Sequence, residues 1–192
     1  VNEVTSLGIQ VHGGMGFIEE TGVAQHYRDA RITAIYEGTN GIQALDLIGR
    51  KTIKDGGKAV GELIDDMRFT VTDMKDNLLN PIREALESSI DDLTETVSWI
   101  QQSAKSPDLC NSAATSYLEL TGIVCGGWVL AKSAIVARFE IDRGCTDVAF
   151  YESKIASANF FALHIMPETQ ALNRKIIAGS QLVNEINTKM FA

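Results

Sequence analysis

The sequence predicts an all-α protein, and three observations carry that prediction. No segment sustains the apolar–polar alternation that a half-buried strand needs. Apolar residues recur instead at steps of three and four through most of the chain after residue 60. Three prolines and sixteen glycines in 192 residues are too few turn-formers for a loop-rich all-β protein.

The elements follow in order. Residues 1–12 read as the end of a helix, with Val4, Leu7 and Val11 at helical spacing. Gly13-Gly14 stops it, because glycine accepts a left-handed cap. Residues 13–22 read as a loop and Ala24–Ile32 as a short charged helix. A further helix is expected from about Ile42 to Arg50, and Lys54–Lys58 reads as a linker. Beyond it Leu63, Met67, Val71, Met74 and Leu78 draw one stripe down a long helix. Asn80-Pro81 is a cap and first-turn pair. It opens a second long helix carrying Ile82, Leu86, Ile90, Leu93, Val97 and Ile100. Ser106-Pro107 opens a third in the same way. Its middle, Tyr117–Ile135, is apolar nearly all round, which predicts the most buried helix of the set. Gly144 ends that pattern. A fourth helix is expected over Asp147–Met166, with Val148, Tyr151, Ile155, Ala158 and Ala162 on one face. Pro167 breaks it, and a last helix carries Leu172, Ile176, Val183 and Ile186. The expected domains are 1–53 and 54–192, the second a four-helix bundle or close variant with four to five helices.

Hydrophobic content of 45% against 22% charged residues places the chain among folded globular proteins. The net charge of −8 is concentrated in residues 55–104, which hold eleven acids against four bases. That block repels a phosphate backbone, so nucleic-acid binding is not expected. Cys110, Cys125 and Cys145 are odd in number and widely spaced, which suits reduced core thiols of an intracellular protein. His12, His26 and His164 are scattered, so no metal site is expected. The longest uncharged, mainly apolar run extends from Leu120 up to Lys132. It is too short to span a bilayer and is interrupted by Gly126-Gly127. The chain opens at Val1 in mid-pattern, which predicts the C-terminal piece of a longer protein.

Three short motifs carry chemistry. The first is Gln10-Val-His-Gly-Gly-Met-Gly-Phe17, whose glycines could let backbone N–H groups converge on a phosphate. It ends a helix and follows no strand, so by itself it reads as a helix cap with a turn. The second is Tyr27-Arg-Asp-Ala-Arg-Ile32, by itself a structural ion-pair cluster. The third is Ile35-Tyr36-Glu37-Gly38-Thr39 with Ile42-Gln43. It sets one carboxylate between an aromatic ring and a glycine before a helix. An apolar neighbour would raise that carboxylate's pKa by desolvation, which suits a base working near neutral pH. Thr39 and Asn40 can cap the helix. Alone, Glu37 is a helix-start charge.

The three strings in this order closely resemble the C-terminal helical domain of acyl-CoA dehydrogenases, over about residues 1–50. The run Gly38–Lys51 and the helices after it resemble the subgroup with an extra C-terminal helical domain. The resemblance implies oxidation of an acyl-CoA thioester to a trans-2-enoyl-CoA, with FAD taking a hydride from Cβ. It implies Glu37 as the base that removes the Cα proton. Its own backbone N–H, with a flavin ribityl hydroxyl, would stabilise the carbonyl oxygen. Gly38 would line the acyl-CoA site. Gln10, Val11, His12, Gly13 and Gly14 would meet the diphosphate or adenosine end of FAD, often that of a neighbouring subunit. Thr39, Asn40 and Gly41 would touch FAD at the helix start. Many members carry Glu or Gln where Gly41 stands, so only a backbone contact is available there.

The expected partners are an acyl-CoA, an electron-transfer flavoprotein or similar acceptor, and copies of the chain in a homodimer or homotetramer. The expected location is the bacterial cytoplasm, without a membrane span. The domains that hold most flavin contacts in this family are not in this sequence, so the chain alone should be colourless and inactive. The competing expectation is a non-catalytic member that keeps the fold for flavin binding or for an interaction through the bundle.

Overall fold

The computed structural model describes residues 1–185, and these form helices and turns with no strand. The chain divides into two compact units, the first Val1–Gln43 and the second starting at Ala44.

In the first unit α1 (Asn2–His12) packs on α3 (Val23–Ile32) and on a four-residue helix, α2 (Gly14–Phe17). Gly13 ends α1 with φ +58°, and its N–H donates to Gln10 O. The expected loop over 13–22 is therefore partly helical, with α2 followed by a 3₁₀ turn, Glu19–Thr21. The physical reason is Gly16. A Cβ there would lie 2.5 Å from the Ile9 carbonyl, so only glycine lets this turn fold against α1. The same glycines have poor helix propensity, which is why the segment reads as loop.

A fourth helix, α4 (Asn40–Asp46), passes directly into a π-helical segment, Leu47–Ile53. The wider π turn is held by tertiary bonds. Buried Thr52 donates through its hydroxyl to Leu47 O at 3.0 Å, and Tyr117 Oη lies 3.0 Å from that hydroxyl. Gln101 Nε2 donates to Thr52 O at 2.9 Å. Burial pushes the Tyr117 phenol pKa up, opposed by the hydroxyls of Thr52 and Thr121.

The second unit is built on α5 (Lys58–Asp73), α6 (Asn80–Gln102), α7 (Pro107–Asp142), α8 (Val148–His164) and α9 (Glu168–Glu185). Helices α6, α8 and α9 pack around α7, α9 and α8 also pack on α6, and α5 lies against α6 and α7. Ile82, Leu86, Ile90, Leu93 and Ile100 of α6 are fully buried, as their spacing predicts, and Val97 packs partly buried beside them. In α7, Cys110, Tyr117, Leu120, Val124 and Ala131 are buried.

Helix α7 runs unbroken through Gly126-Gly127. A Cβ at Gly126 would meet Phe161 at 3.1 Å, and one at Gly127 would meet Met166 at 2.6 Å. The two glycines admit close approach of neighbouring side chains and leave the helix intact. With 36 residues, α7 is long and apolar enough to cross a membrane by length and composition alone, unlike the shorter run expected from sequence. Here it packs against α5, α6, α8 and α9.

Three local expectations need correction. The α5 stripe stops early: the helix ends at Asp73, Met74 is buried beyond it, and Leu78 is exposed in a 3₁₀ turn. Asp76 starts that turn by accepting from the Leu78 N–H at 2.9 Å, and Leu79 is turned inward in place of Leu78. Asn80 is the first residue of α6, and Leu79 occupies the cap position. Val183 of α9 is exposed. Ile186 lies outside the described residues. By contrast Asp147 caps α8 through its carboxylate, which accepts from the Phe150 N–H.

Candidate functional site

The segment between α3 and α4, with the first two residues of α4, carries the Tyr36–Gly41 string. Helix α3 winds down through turns in which the Ile35 and Tyr36 N–H groups both donate to Ile32 O, at 2.9 and 3.0 Å. The backbone then reverses hand. Glu37 has φ +55° and Gly38 φ +97°. Among the described residues, Glu37 is the one non-glycine residue at positive φ. A side chain in the left-handed region costs roughly 1–2 kcal/mol, so surrounding contacts must hold it.

Those contacts are local. The Gln43 side-chain amide donates to the Glu37 carbonyl at 2.7 Å. The Asn40 N–H donates to Ala34 O at 3.3 Å and closes the loop. The Thr39 hydroxyl caps α4, accepting from the Ile42 N–H at 3.4 Å. Gly38 is required twice over. Its φ disfavours any side chain, and a Cβ would come within 3.3 Å of both Gln43 Nε2 and Ile42 Cγ2. A Cβ at Gly41 would meet Thr39 Oγ1 no closer than 3.8 Å, so the approach to the start of α4 is open.

Among the described residues, the N–H groups of Glu37, Gly38 and Thr39 donate to no protein acceptor. The turn therefore presents a carboxylate and free backbone donors together. Glu37 and Tyr36 are both exposed, so the desolvation expected from Tyr36 is not supplied by the described residues.

The other predicted cluster lies at the α1–α2 corner. Gln10, Val11, His12, Gly13 and Gly14 are all exposed there. His12 Nδ1 lies 2.9 Å from Gly8 O; a carbonyl only accepts, so Nδ1 carries a proton. A Cβ at Gly13 or Gly14 would meet nothing within 4 Å, so a ligand has room to approach this backbone. Gln10 also lines an open groove with Ile9, Phe17, Ala24, Tyr27 and Arg28. Arg28 pairs with Glu19 at 3.5 Å across an exposed contact, which is worth little in water. No hydrogen bond joins this corner to the Glu37 turn among the described residues.

Among the described residues there is no group of three or more His, Cys, Asp and Glu that could hold a metal ion. Cys110 is buried, Cys125 and Cys145 are partly buried, and all three are free thiols. Burial raises the pKa of Cys110 and Cys125, which keeps those thiols protonated.

Residues 59–187 match the family described as "Acetyl-CoA dehydrogenase C-terminal like", and residues 1–52 match "Acyl-CoA dehydrogenase, C-terminal domain". The chain belongs to the acyl-CoA dehydrogenase family. It is 40% identical to the 3-methylmercaptopropionyl-CoA dehydrogenase of Ruegeria pomeroyi, over 91% of this chain and 30% of that protein. It is 32% identical to the broad-specificity linear acyl-CoA dehydrogenase of Mycobacterium tuberculosis, over 83% of this chain and 28% of that protein. Over 24% of the chain and 11% of the relative, it is 54% identical to the mitochondrial short-chain specific acyl-CoA dehydrogenase of Sus scrofa. The chain thus spans under a third of the length of these relatives.

Acyl-CoA dehydrogenases are in general FAD-dependent. The exposed, unobstructed Gly13-Gly14 backbone and the open start of α4 fit a bulky anionic cofactor approaching from outside the chain. One residue of the turn escapes the sequence reading. Gln43 stands in the same string as Glu37, six positions on, but its bond to the Glu37 carbonyl depends on a left-handed turn that spacing does not reveal.

Proposed function

We propose that this chain supplies the C-terminal part of an acyl-CoA dehydrogenase, with Glu37 as the catalytic base. The carrying observation is the Glu37 turn: a carboxylate held at positive φ, with unpaired backbone N–H groups beside it. Such local strain is found where a side chain must be aimed. The α-proton of a thioester is weakly acidic, so the base must be placed accurately and the developing charge must find a donor. The Glu37 carboxylate removes that proton. The free Glu37 N–H is the donor this chain offers to the thioester oxygen. Gly38 lines the acyl-CoA, where a side chain would obstruct the approach. When bound, FAD supplies the acceptor for the hydride that leaves Cβ, and the product is the trans-2-enoyl-CoA.

Gln10, Val11, His12, Gly13 and Gly14 would hold the diphosphate or adenosine end of FAD, and Thr39, Asn40 and Gly41 would contact it at the start of α4. Exposure of all of them in this chain supports contacts made to atoms outside it. The whole enzyme would work in the cytoplasm as a homodimer or homotetramer and pass electrons to an electron-transfer flavoprotein or similar acceptor. The domain division at residues 53 and 54 would separate the dehydrogenase part from the extension.

The test is anaerobic flavin bleaching in the full-length protein by a panel of acyl-CoAs, including 3-methylmercaptopropionyl-CoA and butyryl-CoA. Glu37→Gln should slow bleaching by about a hundredfold or more. Bleaching at the wild-type rate would remove Glu37 from the role of base. The 192-residue chain alone should purify colourless and inactive; stoichiometric bound flavin would overturn that.

A further inference from the structure

We infer that Gln43 is the positioning residue of the Glu37 base, an inference that rests on the reading of Glu37 above. Glu37 O is the acceptor of one hydrogen bond among the described residues, and Gln43 Nε2 is its donor at 2.7 Å. Pinning that carbonyl fixes ψ of Glu37. With φ already at +55°, it fixes the direction of the Cα–Cβ bond from which the carboxylate extends. The Gln43 backbone is itself anchored, since its N–H donates to Thr39 O at 3.0 Å.

Gly38 gives an independent sign that the Gln43 amide belongs to the turn. The space a Cβ would need at Gly38 is taken by Gln43 Nε2 and Ile42 Cγ2. The bond is exposed in this chain, so it adds little to folding stability. Its consequence is aim: an error of about 1 Å in placing a catalytic group can cost on the order of a hundredfold in rate.

The experiment uses the full-length, flavin-loaded protein with butyryl-CoA and its α,α-dideuterated form. Gln43→Leu removes the donor at similar length, and Gln43→Glu keeps the shape but offers only acceptors at neutral pH. Both variants should lower kcat by about tenfold to a hundredfold, with KM changed less than about threefold. The α-deuterium isotope effect should rise, because proton removal becomes more fully rate-limiting. Melting temperature and flavin content should stay at wild-type values. Wild-type kcat and isotope effect in Gln43→Leu would overturn the inference. So would loss of flavin or of melting temperature in both variants, which would make Gln43 a structural residue. Glu37→Gln is run alongside. If it retains wild-type rate, the base assignment itself fails; if it alone is slow, only the role of Gln43 fails.

Discussion

The first 43 residues and the unit that follows both carry apolar stripes at helical spacing, yet only the second buries them. Val4, Leu7 and Val11 of α1 are 72%, 56% and 84% exposed, whereas Leu86, Ile90 and Leu93 of α6 are fully buried. The buried apolar residues of the first unit are two alanines, Ala24 and Ala30. An amphipathic pattern thus states a need for a partner and does not say where the partner is. The second unit meets that need with its own helices. The first leaves Phe17 exposed at the end of α2, and Ile32, Ile35, Tyr36 and Ile42 exposed in the segment around Glu37. That surface suits our proposal that its partners are other parts of a longer enzyme.

The sharpest way to break this comparison is truncation on each side. Leu93→Ala should destabilise the chain by about 2–5 kcal/mol, because a fully buried leucine leaves a cavity in a packed core. Urea unfolding followed by circular dichroism measures it. Leu7→Ala in the same chain should change stability by less than about 0.5 kcal/mol. Equal losses at the two positions would show that α1 is buried in solution. Next in size is Tyr117→Phe, which removes the hydroxyl lying on Thr52. Thr52 keeps its bond to Leu47 O, so the expected loss is about 1 kcal/mol in the same assay. A neutral result would mean the π segment does not depend on that bond.

These residues also mark what was legible. Helix α6 could be read almost position by position, because its core is one stripe and Pro81 marks its start. The end of α5 could not. Met74 and Leu78 keep the helical spacing, but Asp76 turns the chain between them. The π segment left no local signal, since Tyr117 and Gln101, far along the chain, hold it. In the site, the residues Glu37 to Gly41 were legible as a string. The left-handed φ of Glu37 and the Gln43 bond were not, because neither follows from spacing.

The smallest expected effect is a pH dependence in the second unit. Burial raises the Asp92 pKa, and Glu95 and Asp91 add to the rise, while the Thr169 hydroxyl donating to it at 2.8 Å opposes it. A carboxyl with a raised folded-state pKa favours the fold fully below the unfolded value. That contribution is lost as pH climbs through the folded value. Asp92→Asn should therefore flatten the decline of melting temperature as pH rises from the ordinary carboxylate value of 3.8. An unchanged slope would place the pH dependence elsewhere.

We propose a division of labour in which the Glu37 turn performs the chemistry and the bundle supplies stability. One paired measurement tests it, single-turnover flavin bleaching and melting temperature in the full-length protein for Glu37→Gln and Tyr117→Phe. The account predicts that Glu37→Gln bleaches about a hundredfold or more slower with an unchanged melting temperature. It predicts that Tyr117→Phe melts earlier and bleaches at the wild-type rate. Wild-type bleaching by Glu37→Gln would contradict it.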